Sequence, residues 1–190
     1  ANKTVQIKLE KAPDSTLKDI ELPTDWPLFR KNDENNGVVD VRTPITAEDT
    51  VLVWANKLGE GYSGSAVGSP IIVGGYLYTY SGTTIMKVDK ETGLVLKTGT
   101  MAGFSSFSIN SATYAEGMIF IGLSNGRVQA FNAETLESLW VYQDALGGQP
   151  NCPIAYADGY IYTGFWNQET KQANFACLSV TDEDATKTNE

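Results

Sequence analysis

Histidine is absent from this 190-residue sequence. Its absence excludes Ser-His-Asp and Cys-His catalysis and most zinc sites, which rely on imidazole alone or with thiolate. Cysteine is scarce, with only Cys152 and Cys177. Positive charge is also short: 14 Lys and Arg stand against 23 Asp and Glu, for a net charge of −9. A surface of that sign disfavours nucleic acid and anionic membranes, because phosphate binding needs cations. No apolar run reaches membrane-spanning length, and no signal peptide is read. Ala1 fits either a removed leader or a cut chain. Helical periodicity is sparse, and 18 glycines with 42% hydrophobic and 11% aromatic residues point to an all-β globular fold.

What the sequence does have is repetition. Ser69 to Gly93 reads SPIIVGGYLYTYSGTTIMKVDKETG, and a related stretch restarts at Ser111 and again at Cys152, spacings of 42 and 41 residues. A period of roughly 40–45 residues with several short strands per unit marks a β-propeller blade. In the first copy, Pro70–Val73 is a short apolar run and Gly74-Gly75 a hairpin signal. Tyr76–Tyr80 is aromatic and β-branched, Ser81-Gly82 turns, and Thr84–Asp89 alternates as a strand with one covered face does. Lys90–Gly93 is the next turn and Leu94–Thr98 a fourth strand. The second copy repeats the layout with strands at Met118–Leu123, Arg127–Phe131 and Glu137–Tyr142. The third copy offers strands near Pro153–Ala157, Tyr160–Phe165 and Asn174–Val180, then an acidic tail, and no fourth strand.

These repeats resemble the pyrroloquinoline-quinone (PQQ)-like propeller repeat, whose last turn follows Ala-x-Asp-x-x-Thr-Gly-x-x-x-Trp. The first copy matches at Asp89, Thr92 and Gly93, with Lys87 for Ala and Lys97 for Trp. The second matches at Ala130, Thr135 and Trp140, with Asn132 for Asp and Leu136 for Gly. Trp26–Asn32 resembles the family's first segment and Val51–Trp54 the outer strand that follows it. The resemblance covers about Trp26 to Val180. It implies a partial propeller of about three four-stranded antiparallel blades, an open arc or one completed by a partner chain. Residues 1–25 are expected to form a leading strand (Thr4–Glu10), added to an edge of the propeller or left as the tail of a preceding domain, and a connector. Residues 26–190 form the blades, with repeats near 66–100, 106–143 and 149–190 and an outer strand at 50–56. Three blades are fewer than rings usually need, so either a longer propeller or a second copy is expected to cover the open edges.

Candidate chemistry is thin. Asp182-Glu183-Asp184 lacks the spacing of a Ca²⁺ loop and reads as a solvated turn. Asp89 reads as a turn residue accepting backbone hydrogen bonds. Cys152 and Cys177 fall on strands separated by a third and are expected to be buried, free thiols. Trp166 is expected to pack between blades; the alternative is an exposed ring that stacks on a sugar or anchors a protein, beside the long loop Asn167-Gln168-Glu169. Tyr62 sits on a Gly-rich connector and is expected to line the axial end. Trp140 is expected to be buried between blades, as the resemblance implies.

No residue is therefore assigned a catalytic, cofactor-binding or metal-binding role. The sequence reads as a non-enzymatic, secreted or cell-surface PQQ-like module of the cell exterior or envelope. Its expected partner is a protein or a second copy, with a small molecule or glycan as a possible ligand and no nucleic acid. The resemblance leaves two alternatives: a fragment of a quinoprotein-type dehydrogenase, or a propeller lipoprotein of outer-membrane β-barrel assembly. The dehydrogenases carry an adjacent Cys-Cys pair beneath the quinone, and this sequence has none.

Overall fold

The structure, a computed structural model, describes residues 25–32, 35, 37–39, 44–61, 66–105 and 110–180. The leading strand at Thr4–Glu10, Tyr62 and the Asp182–Asp184 cluster lie outside them.

Among the described residues the fold is all-β, with eleven strands in three antiparallel sheets. The first blade is β1 (Ile71–Val73), β2 (Tyr76–Ser81), β3 (Thr84–Asp89) and β4 (Val95–Thr100), paired in that order. The second is β5 (Thr113–Ala115), β6 (Met118–Leu123), β7 (Arg127–Asn132) and β8 (Ser138–Gln143). The third has β9 (Ala155–Ala157), β10 (Tyr160–Gly164) and β11 (Phe175–Ser179). Hairpin chemistry sets these registers. Gly74 and Gly117 have φ of 58° and 73°, and the strands they join pair as Val73↔Tyr76 and Ala115↔Met118. Each complete blade carries a register shift at the same place, between Lys87 and Val88 and between Ala130 and Phe131. A bulge there increases local twist and swings the outer strand away from flat stacking.

The core lies between the blades. Ile71, Tyr78, Tyr80, Ile85, Ile119, Ile121, Leu123, Phe131 and Leu136 form one cluster between the first and second blades. Phe120, Val128, Ala130, Ile154, Ile161, Phe165 and Ala176 form another between the second and third. Both faces of β6 are used, since Ile119 and Ile121 face one cluster and Phe120 the other. That explains why Met118–Leu123 is almost continuously apolar. Full burial of each large side chain contributes about 1.5–3 kcal/mol.

Polar links cross the same seams. The Tyr78 hydroxyl donates to the Ala133 carbonyl at 3.0 Å, and the Thr113 hydroxyl to the Ile154 carbonyl at 2.8 Å. Lys87 is only 4% exposed and lies 2.9 Å from Glu134 of the next blade, with its ammonium 4.1 Å from the centre of the Tyr76 ring. The entry segment closes on the inner strands: Trp26 exchanges two backbone hydrogen bonds with Ile72, and Tyr114 N–H donates to the Pro27 carbonyl.

The segment 50–56 departs from expectation. It forms no ladder among the described residues, where an outer strand is expected. Side chains hold it instead. Trp54 Nε1 donates to the Lys90 carbonyl at 3.0 Å and Asn56 Nδ2 to the Gly93 carbonyl at 2.7 Å. A Cβ on Gly93 would strike the Trp54 ring, so glycine is what lets the indole lie on this turn. No helix among the described residues is long and apolar enough to cross a membrane.

Candidate functional site

Strand direction places the β2–β3, β6–β7 and β10–β11 connections, and the loops leaving each outer strand, at one end of the blades. A cleft of about 590 Å³ opens at that end between the second and third blades. Its walls are the β6–β7 turn, the loop after β8 and the start of the β10–β11 loop.

The loop after β8 is held by a buried carboxylate. Asp144, 2% exposed, accepts hydrogen bonds from the Tyr142 hydroxyl (3.0 Å), the Leu146 N–H (2.8 Å) and the Asn174 side-chain amide (3.0 Å). Its own N–H donates to the Gly126 carbonyl, and Gly126 N–H donates to the Gly148 carbonyl. Gly126 and Gly147 face each other so closely that a Cβ on Gly126 would overlap the Gly147 backbone. Gln149 and Trp166 then exchange two backbone hydrogen bonds, at 2.7 and 2.9 Å. The third blade is thereby tied to the second at the cleft floor.

The opposite wall is a turn that the chain uses three times. Asp89-Lys90-Glu91-Thr92, Asn132-Ala133-Glu134-Thr135 and Asn167-Gln168-Glu169-Thr170 share the order Asx-x-Glu-Thr. In each, the Asx oxygen accepts the N–H groups of the Glu and the Thr. In each, the following residue has positive φ: Gly93 71°, Leu136 59° and Lys171 54°. The first two join the third and fourth strands of a blade. The third joins the second and third strands, at the other end, and there it supports the cleft wall. Asn167 Nδ2 adds a bond to the Leu146 carbonyl at 3.0 Å.

Trp166 stands on this support 48% exposed, lining the cleft. The expectation that it packs between blades is thus corrected. Phe165 takes the inward position, and the alternation of a strand sends the next side chain outward. The cysteines also need correction. Both are free, but both are exposed. Cys152 precedes β9 in a loop, and Cys177 points away from the core because its neighbour Ala176 points in. Trp140 is half-buried, packed against the second seam with its ring 5.9 Å from Phe120. Asp89 behaves as read: the Thr92 hydroxyl and N–H and the Glu91 N–H bond to its carboxylate and hold its pKa below the usual value. Sequence reading missed Asp144 and the third Asx-x-Glu-Thr turn. The recurrence of that tetrapeptide was the signal available.

A second cleft, about 550 Å³, occupies the equivalent end of the first blade, beside Ser81–Thr84, Lys57 and the half-exposed Phe104. Among the described residues, no three His, Cys, Asp or Glu side chains converge as metal ligands.

The blade topology and seam packing define a PQQ-like repeat propeller. The family model described as outer membrane protein assembly factor BamB matches residues 38–169, more than half of the chain, and the chain belongs to that family. No curated protein matches it. Among solved structures it is similar to a europium-containing methanol dehydrogenase (18% identity, TM-score 0.64) and to the quinohemoprotein alcohol dehydrogenase of Comamonas testosteroni (18% identity, TM-score 0.66). Each alignment covers 82% of this chain but only 30% and 25% of the respective dehydrogenase. BamB from Moraxella catarrhalis aligns over 59% of this chain and 34% of its own, at 22% identity and a TM-score of 0.44. At these identities the dehydrogenases share the fold alone.

Proposed function

We propose that this chain is a non-enzymatic propeller module of the cell envelope or exterior, and that it works by binding and scaffolding. The observation that carries this reading is the apolar β-forming surface it presents. Val51, Leu52 and Val53 are 79%, 78% and 77% exposed, and Phe175 on β11 is 74% exposed. β3 and β7 are each covered by an outer strand, whereas β11 pairs only with β10 among the described residues. Exposed apolar patches of this kind suit addition of a polypeptide partner or a second copy. The family description, an outer-membrane assembly factor, supports an envelope location.

The dehydrogenase reading draws on the shared fold, but the described residues supply no set that would hold a quinone with its metal. Cys152 and Cys177 are far apart in sequence and neither is part of a Cys-Cys pair, and the described carboxylates do not cluster. Titrating the chain with PQQ and Ca²⁺ tests this: no saturable change in quinone absorbance is expected. Stoichiometric, saturable uptake would overturn the non-enzymatic reading.

A further inference from the structure

We propose that the cleft between the second and third blades is a binding site for a neutral saccharide, with Trp166 as its stacking platform. The inference rests on the reading of the chain as a binding module and names a ligand class for it. Three independent features converge.

The first is the ring. An indole left 48% exposed on a tied-down loop keeps a large apolar face in water, which favours an apolar face of a ligand covering it. The second is the polarity of the walls. Ser124, Asn125, Gln168 and Glu169 line the cleft around Trp166, and among the described residues no lysine or arginine does. Hydroxyl and amide groups donate and accept, and the carboxylate accepts. A phosphate or carboxylate ligand would meet Glu169 with no cation to offset the repulsion. A purely apolar ligand would strip water from the amides without replacing their hydrogen bonds. A pyranose satisfies both demands, with a C–H face for the indole and a rim of hydroxyls for the amides and carboxylate.

The third feature is rigidity. The Asp144 bonds, the Gln149–Trp166 backbone pair and the Asn167 turn fix the cleft walls before any ligand arrives. A preformed site loses little entropy on binding. The volume, about 590 Å³, is that of an ordinary small-ligand pocket.

The test is isothermal titration of the full chain with cellohexaose, maltohexaose and chitohexaose. At least one should bind with a dissociation constant of about 1 mM or tighter. Trp166→Ala should weaken it about tenfold, and Trp166→Phe less, since a smaller ring still stacks. Both variants should stay folded at the titration temperature, because the ring is half-exposed and the ties of Trp166 to Gln149 are backbone hydrogen bonds. Gln168→Ala, on the exposed loop, provides a second reading of the same wall and should also weaken binding. No binding of any of the three at about 10 mM, or unchanged binding in Trp166→Ala and Gln168→Ala, overturns the site. Mass spectrometry of the sugar after incubation separates the two proposals. An intact sugar that depends on Trp166 supports both. A cleaved or oxidised sugar that depends on Trp166 retains the site and overturns the non-enzymatic reading.

Discussion

At the scale of single residues, the seams are stabilised by buried groups whose protonation matters. The Tyr80 hydroxyl donates to the Asn110 carbonyl and contacts Ser105 Oγ, and burial raises its pKa above the ordinary 10.0. Burial also raises that of Tyr78. For Lys87, burial opposes the charge, but the bond to Glu134 and the neighbouring Tyr78 outweigh it and raise the pKa above 10.5. In all three the proton is held more tightly in the folded chain than in the unfolded one. Their stabilisation is complete below pH 10 and is lost as pH rises through the folded values. Urea midpoints should therefore hold up to about pH 10 and fall above it, and Tyr80→Phe should flatten the fall. A midpoint that also holds above it would show that these groups do not govern the seams.

At the scale of elements, two blade junctions solve one packing problem in different ways. At the first, the Trp54 indole covers Gly93. At the second, Lys97 and Leu136 stand where the repeat has Trp and Gly. Leu136 fills the space itself, 2% exposed with φ of 59°, a backbone region that costs a branched side chain energy. β4 then approaches closely enough that a Cβ on Gly99 would overlap the Leu136 carbonyl. Trp140 on β8 restores an aromatic at the next seam, against Phe120. Because it is half-buried, Trp140→Ala should cost about 2–3 kcal/mol, below the ~3–5 kcal/mol of a fully enclosed aromatic. Chemical denaturation measures this, and an unchanged midpoint would mean that the ring adds nothing to the seam.

At the scale of the molecule, the arc carries two complementary features. Trp54 anchors an extended apolar run that forms no ladder, and β11 is covered on one side only among the described residues. If residues 51–56 of one copy lie against β11 of another, both are satisfied, and the reciprocal contact closes a two-fold pair. Light scattering at micromolar concentration should then give a mass above the monomer, and Val53→Lys should lower it. A stable monomer of the parent chain would rule out this pairing.

Blade number, strand order and hairpin positions were legible from the sequence. They follow from local chemistry: alternation within Thr84–Asp89, glycine at the tight turns, and a repeat of 41 to 42 residues. The choice of Asp89 and Asn132 as turn residues was equally local. What the sequence could not decide was exposure across seams. Trp166 and Phe165 are adjacent aromatics, and only the placement of the neighbouring blade makes one core and the other cleft wall. Cys177 and Ala176 divide in the same way. Asp144 reads as one more acidic residue in a chain with 23 of them, until folding brings Tyr142, Leu146 and Asn174 around it. Periodicity reports which side chains share a face. Which face is covered depends on partners distant in sequence, and those are set by the tertiary packing of blade on blade.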